Sequence, residues 1–232
     1  MQTTTRTDVA ILGGGLAGLT LALQLRQRDP GCAVTVIERR AHPVREAAHK
    51  VGESTVEIGA HYLAKVLGLE AHLESEQIRK FGFRFFFSEG SHAIDQCTEL
   101  GVSRLLPTPS WQIDRGRFEN FLGERARALG VQFEDAAVVR ELTMAGDGAD
   151  DHVVAFERDG AMHTLHSRWL IDASGRAGLL KRKLDLAQPN DHDANAVWWR
   201  VDGTIDPNAW SQDASWLQRC DPPDRWRSTN HM

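Results

Sequence analysis

Apolar and polar positions alternate along this chain in blocks that predict a succession of strands and helices. Val9-Ala10-Ile11-Leu12, entered at Asp8, is a short apolar run that reads as a buried strand. From Leu16 to about Arg28 the apolar positions recur at helical spacing, and Asp29-Pro30-Gly31 breaks the pattern. Ala33 to Ile37 reads as a second strand, ending at Glu38. A polar stretch from His42 to Thr55 precedes a predicted helix over Val56 to Leu69, with Ile58, Tyr62, Leu63, Val66 and Leu67 at its apolar positions. Phe81, Phe83, Phe85 and Phe87 alternate, which predicts a strand over 81–87 with one aromatic face. Leu105 to Pro109 reads as a loop. Arg117 to Leu129 reads as an amphipathic helix with Phe118, Phe121, Leu122, Ala126 and Leu129 on one side, closed by Gly130. Val131 to Leu142 and His152 to Arg158 read as strands about an Ala145–Gly148 turn, and Met162 to Asp172 as another. After Lys183 the pattern changes: Gln188 to Ala194 is polar, Val197 to Asp202 suggests a strand, and five of the seven tryptophans lie there.

Composition narrows the classes. The 232 residues suffice for one large domain, or one domain and part of another, and 41% of them are hydrophobic, enough for a core. The formal charge of −5 argues against nucleic acid or an anionic membrane as the main partner. No apolar run reaches the roughly 18 residues of a membrane span, and the polar start MQTTTRTD has no signal-peptide core, so a cytoplasmic location is expected. Cys32, Cys97 and Cys220 are odd in number and far apart, which suggests neither a disulfide framework nor a zinc site. The ten histidines, among them His61, His163 and His166, show no ligand spacing with Cys or Glu and read as solvated or structural.

The first strand runs into Gly13-Gly14-Gly15-Leu16-Ala17-Gly18, and that junction carries the chemistry. Strand, glycine turn, helix, strand and acid form the βαβ unit that binds the adenosine half of a dinucleotide. Gly13 permits the tight turn, Gly15 lets the backbone approach a pyrophosphate, and Gly18 lets the helix pack on the strand. Leu16 and Ala17 open the helix, whose free N–H groups and positive dipole end favour phosphate. Glu38 stands 20 residues past Gly18, where an acid accepts hydrogen bonds from a ribose and disfavours a 2′-phosphate; Arg39 follows it.

Two weaker signals accompany this unit. Asp172-Ala173-Ser174-Gly175 ends an apolar strand, a form suited to close ligand approach and a carboxylate hydrogen bond, although an ordinary turn explains it as well. Gln112-Ile113-Asp114-Arg115 precedes the 117–129 helix. Arg115 is placed to meet a phosphate, while the plain alternative makes Asp114 the helix cap and Arg115 a solvated charge.

In that order the three elements resemble the FAD-binding fold of the p-hydroxybenzoate hydroxylase type. More narrowly, the chain resembles the flavin-dependent halogenases of the tryptophan-halogenase-like family. The residues carrying this are Gly13–Gly18, Val51-Gly52-Glu53-Ser54-Thr55, Lys80 before the Phe-rich segment, Trp169–Arg176 and Arg225–His231. The resemblance implies an α/β fold: a Rossmann-like, three-layer FAD-binding domain with a mostly parallel sheet over 1–78 and 109–185. Residues 79–108 and 186–232 would belong to a β-rich substrate domain. It implies that Gly13, Gly15, Leu16, Ala17, Gly18, Glu38, Arg39, Glu53, Ser54, Arg115, Asp172 and Gly175 contact FAD, with no metal. In such enzymes reduced FAD, supplied by a separate flavin reductase, reacts with oxygen to a hydroperoxide, halide attacks it, and the hypohalous acid passes to a lysine before an electron-rich aromatic ring is halogenated. Lys80 matches that lysine; without the resemblance, Arg79, Lys80 and Arg84 read as solvated charge around a strand. The family's later Trp-x-Trp-x-Ile-Pro segment and acidic partner of the lysine are absent before Met232, so the chain is expected to be the amino-terminal part of such a protein, truncated at its carboxyl end. The alternatives are a flavin monooxygenase or reductase on the same fold, or a non-catalytic flavin-binding fragment. An NAD-dependent dehydrogenase fits less well, because Arg115 and Asp172–Gly175 follow the FAD pattern.

Overall fold

The computed structural model describes residues 3–47, 50, 52–90, 92–101, 107–146, 151–192, 194–199, 201–203 and 205–220. The chain divides into two compact units, Met1–His49 with Asp114–Ala194, and Lys50–Ile113 with Asn195–Met232. These boundaries differ from the 78/79 and 108/109 divisions read from the sequence.

The first unit holds β1 (Thr3–Leu12), α1 (Leu16–Arg28) and β2 (Val34–Ile37) from its amino-terminal segment. The second unit contributes α2 (Glu57–His61), which runs on into a π-helical turn over Tyr62–Val66, then α3 (Glu70–Glu76), β3 (Ile78–Lys80), β4 (Arg84–Phe87), β5 (Thr98–Gly101) and β6 (Ser110–Gln112). The chain returns to the first unit with α4 (Arg115–Ala128), β7 (Gln132–Glu134), β8 (Val138–Thr143), β9 (His152–Arg158), β10 (Ala161–Asp172) and α5 (Leu179–Lys183), and the second unit adds α6 (Ala214–Leu217).

One six-stranded sheet, ordered β7-β2-β1-β10-β9-β8, organises the first unit. The β7–β2, β2–β1 and β1–β10 pairs are parallel, and β9 and β8 extend the sheet antiparallel. The expected mostly parallel α/β sheet is therefore present. α1 and α4 pack together, burying Leu19, Leu23, Phe118, Leu122 and Ala126 completely. Each such leucine contributes about 1.5–3 kcal/mol relative to exposure. A second core cluster gathers Ala10, Leu12, Ile37, Val154, Phe156 and Leu165 with Leu180 of α5. Register matters most for the site. Leu12 lies beside Ile37 on one side and Asp172 on the other, so three strands end at one level.

The structure corrects several readings. The 131–142 strand is two strands on opposite edges of the sheet, because Ala136 turns the chain with φ 51°. The 81–87 strand is broken at Gly82, φ 136°, so that Lys80 pairs with Ser110 in one ribbon and Phe85 with Leu100 in another. Phe83, Phe85 and Phe87 do share a face, stacked at 5.9 and 6.4 Å, but that face is exposed. The 56–69 helix ends at the π turn, where the Leu67 N–H reaches back to the Tyr62 carbonyl. Ala60, Leu63, Ala64 and Leu67 are its buried face, whereas Ile58 and Val66 are exposed. Between Val197 and Asp202 the described residues form no strand, since nothing among them pairs there.

In the second unit Trp111, Trp216 and Leu73 are fully buried, and Arg84 and Glu99, their side chains largely buried, form an ion pair at 2.8 Å. Removing one buried partner leaves the other charge without its ion pair. Arg84→Met is expected to destabilise the protein by about 3 kcal/mol, and Arg84→Met with Glu99→Leu by clearly less. Urea unfolding of the three proteins checks this; equal losses in the single and double variants would refute it.

Candidate functional site

The strand ends of the first unit assemble a cradle around the glycine turn. Gly13 has φ 113°, and a Cβ there would meet the Ala173 carbonyl oxygen at 2.4 Å. The turn is held by hydrogen bonds from the Gly13 N–H to the Ile37 carbonyl at 2.8 Å and from the Ala173 N–H to the Leu12 carbonyl at 2.9 Å. A Cβ on Gly18 would stand 1.9 Å from the Gly13 carbonyl oxygen, so helix and turn interlock. Gly14 is enclosed too, by Phe133 and Glu38.

Gly15 is different. Its backbone, φ −85° and ψ −170°, suits any residue, and a Cβ there would meet only one atom, the Glu119 Oε1 at 3.8 Å, which is ordinary contact. The chain's own packing thus gives no reason for glycine at this position. A ligand lying against the backbone does, and the opening sits where Leu16, Ala17 and Gly18 present the free N–H groups of a 13-residue helix. The residues therefore fit a dinucleotide pyrophosphate.

Glu38 is buried beside the turn. Its carboxylate accepts from the Gly14 N–H at 2.7 Å and the Arg40 N–H at 2.9 Å, which leaves acceptor capacity for ribose hydroxyls, since a carboxylate offers about four lone-pair sites. Arg39 is exposed at the strand end. Asp114 caps α4 by accepting from the Arg117 N–H at 3.0 Å. Arg115 is not a solvated charge: its Nε and Nη2 donate to the Glu119 Oε1 at 3.1 and 2.7 Å. Glu119, 2% exposed, belongs to the site although periodicity alone makes it a polar helix position; its i,i+4 spacing from Arg115 was the available signal.

Asp172 works within the chain. Its carboxylate accepts from the Ser174 N–H and Oγ at 3.0 and 2.5 Å, and from the Leu180 N–H at 2.8 Å. Burial pushes this carboxyl up, but the hydrogen bonds from Ser174, Leu180 and Lys181 outweigh it and hold the group below the usual range. Asp172 thus fixes the turn that sets Ala173 against Gly13. Gly175, φ 62°, borders open space. His42, behind the turn, packs edge-on to Phe133 at 4.7 Å, and burial lowers its pKa.

The second unit brings together the Gly52–Thr55 loop and Lys80. Lys80 is 3% exposed. Its Nζ donates to the Ser54 Oγ at 2.8 Å and the Thr55 carbonyl at 2.6 Å, and lies 3.9 Å from the centre of the Phe83 ring. Burial lowers its pKa, with Glu57 opposing. A small cavity of about 80 Å³ adjoins it, lined by Glu57, Arg79, Phe81, Thr108, Pro109 and Ser110. Ser54 and Thr55 do not cap the following helix, whose first position is preceded by Val56. The Thr55 hydroxyl instead donates to the Trp111 carbonyl and accepts from its N–H, at 2.7 and 2.8 Å. Glu53 is buried, and its carbonyl accepts from the Ile113 N–H at 2.7 Å. Val51 and Arg225–His231 lie outside the described residues. Among the described residues no group of His, Cys, Asp and Glu could hold a metal, and no helix is long and apolar enough to cross a membrane.

Comparison with known proteins finds flavin-dependent halogenases and a hydroxylase. The chain is 27% identical to the flavin-dependent halogenase chlA of Dictyostelium discoideum over 221 residues, which cover 85% of this chain and 37% of that one. It is 29% identical to aklavinone 12-hydroxylase DnrF of Streptomyces peucetius over 199 residues, 78% of this chain and 38% of that one. Among solved structures it superposes on CmlS, a flavin-dependent halogenase, with a TM-score of 0.62 and 28% identity, covering 78% of this chain and 31% of that one. The chain thus spans less than half the length of the relatives it matches. The model of the FAD binding domain matches residues 6–222, taking in the glycine turn, Glu38, Arg115 and the Asp172 turn in one alignment, and on that match the chain belongs to the FAD binding domain family.

Proposed function

We propose that this chain carries the cofactor-holding and lysine-bearing part of an FAD-dependent halogenase. It would use reduced FAD from a separate flavin reductase, oxygen and halide to halogenate an electron-rich aromatic ring. In this reading residues 1–78 and 109–185 form the FAD-binding domain, and 79–108 and 186–232 begin the substrate domain. Gly13, Gly15, Leu16, Ala17 and Gly18 hold the pyrophosphate, Glu38 the ribose, and Arg115, held by Glu119, donates a hydrogen bond to a phosphate. Arg39, Glu53, Ser54, Asp172 and Gly175 complete the proposed FAD contacts. Held by these residues, reduced FAD would supply two electrons to oxygen, and the oxygen so reduced to the peroxide level would take two more from the halide.

The observation that carries the halogenase reading is the setting of Lys80. Burial raises the fraction of its amine that is neutral, and a neutral amine has the lone pair needed to accept a halogen. Ser54 and Thr55 fix its position. Three donors serve a lysine ammonium but only two a neutral amine, so both bonds survive loss of the proton. The likeness to aklavinone 12-hydroxylase favours a second reading, a flavin monooxygenase.

The test combines the protein with FAD, a flavin reductase, NADH, oxygen and a panel of phenols, indoles and pyrroles, with and without bromide. Brominated product that requires bromide is the expected result. Hydroxylated product without bromide would establish the monooxygenase, and FAD binding without any product would leave this chain a flavin-binding fragment.

A further inference from the structure

Resting on the cofactor reading of the glycine turn, one buried charge goes beyond it. Glu119 is 2% exposed, and its Oε1 receives two hydrogen bonds from the Arg115 guanidinium. The same oxygen stands 3.8 Å from where a Cβ on Gly15 would project, which places it at the edge of the opening that admits the pyrophosphate. We infer that Glu119 is a positioning residue that sets the charge of this subsite, so that it takes a diphosphate diester in preference to a nucleoside diphosphate with a terminal phosphate.

The argument is one of charge balance. Arg115 and Glu119 cancel to zero at the opening. Glu38, buried on the other side of the turn, adds a negative charge. The fixed positive end nearby is the start of α1, worth about half an elementary charge. A diphosphate diester carries two negative charges, one on each phosphate. A terminal phosphate takes up a further charge above a pKa of about 6. That extra negative charge meets a carboxylate held out of water, where like charges repel more strongly than in solvent. Glu119 therefore does two things: it holds the guanidinium in one place beside the turn, and it penalises any ligand more anionic than a diester.

The probes are ADP-ribose and ADP, which share the adenosine diphosphate part and differ in that terminal charge. Affinities are read at pH 8 by displacement of FAD from the 232-residue protein. Glu119→Gln keeps an acceptor for Arg115 and removes the charge. The ratio of the ADP to the ADP-ribose dissociation constant is expected to fall on the order of fivefold in the variant. In the wild type that ratio should grow from pH 6 to pH 8 as the terminal phosphate ionises, and in Glu119→Gln it should stay nearly flat. His42, whose pKa burial lowers and whose charged form Glu119 favours, is replaced by Gln in both proteins, so that its titration does not enter the comparison. The same ratio in both proteins would overturn the inference while leaving FAD binding intact. Should the variant fail to fold, a wild-type ratio that does not change with pH would overturn it. Failure of the wild type to bind FAD or ADP-ribose would overturn the cofactor reading and the inference with it.

Discussion

Gly18→Ala is expected to cost the first unit more than about 4 kcal/mol, a loss reached only by a few mechanisms, of which backbone overlap is one. Its Cβ would stand 1.9 Å from the Gly13 carbonyl oxygen and 3.2 Å from the Ile11 Cγ2. Relief by moving Gly13 is closed off, because that residue is itself pressed against the Ala173 carbonyl and holds φ 113°. Thermal unfolding should shift down by roughly 10 °C or lose its cooperativity. Gly15→Ala is expected to do the opposite. Its Cβ meets nothing closer than 3.8 Å and its backbone is unstrained, so stability should stay within about 1 kcal/mol. The methyl group nevertheless projects into the opening at the start of α1, and FAD should bind at least about tenfold more weakly, the equivalent of about 1.4 kcal/mol. Melting curves and FAD titrations on the two variants separate a glycine required by the fold from one required by the ligand. A Gly15→Ala protein that binds FAD as the wild type does would remove the main physical support for the site.

That contrast also shows what the sequence could and could not convey. The strand–turn–helix–strand–acid order was legible because each element carries its own local signal: α1 spans the residues that the periodicity predicts, and Glu38 ends the strand expected of it. The glycine pattern alone assigns the same kind of job to Gly13, Gly15 and Gly18, and only three-dimensional proximity distinguishes Gly15 from the other two. Glu119 was hidden for a similar reason. A charged residue on an amphipathic helix reads as solvated, and its burial follows from α4 packing against α1, a long-range event. The Phe-rich segment failed differently. Alternation correctly put Phe83, Phe85 and Phe87 on one face, but Gly82 broke the strand, and period-two spacing does not say which face meets solvent. Lys80 is the converse case. Composition reads it as surface charge, yet pairing of β3 with β6 and its two bonds to the Ser54–Thr55 loop bury it.

Lys80→Met is expected to lower halogenation by about 10³-fold, or about 4 kcal/mol of barrier, while FAD affinity changes by less than about twofold, on the order of 0.4 kcal/mol. Methionine matches much of the apolar stem but offers no amine. Its loss also leaves the Ser54 hydroxyl and the Thr55 carbonyl without their donor, so a stability change of about 1–3 kcal/mol accompanies it. Lys80→Arg separates structure from chemistry: the guanidinium can donate to the same two oxygens but stays protonated at any working pH. Activity lost in both variants, with stability restored in the arginine one, is the pattern of an amine that reacts. The pH dependence gives a further check. Burial lowers the pKa of Lys80 in the folded protein, so the unfolded chain binds the proton more tightly. Between the lowered value and the ordinary lysine value of about 10.4, unfolding takes up a proton, and stability rises with pH across that window. Below it the buried ammonium is fully present and the folded state is at its least favoured. The Met variant should lose this slope, and the halogenation rate of the wild type should climb over the same window as the neutral amine accumulates. A rate that falls with rising pH there, or an arginine variant that keeps its halogenation, would show Lys80 acting as a fixed cation or a structural tie rather than as the halogen acceptor.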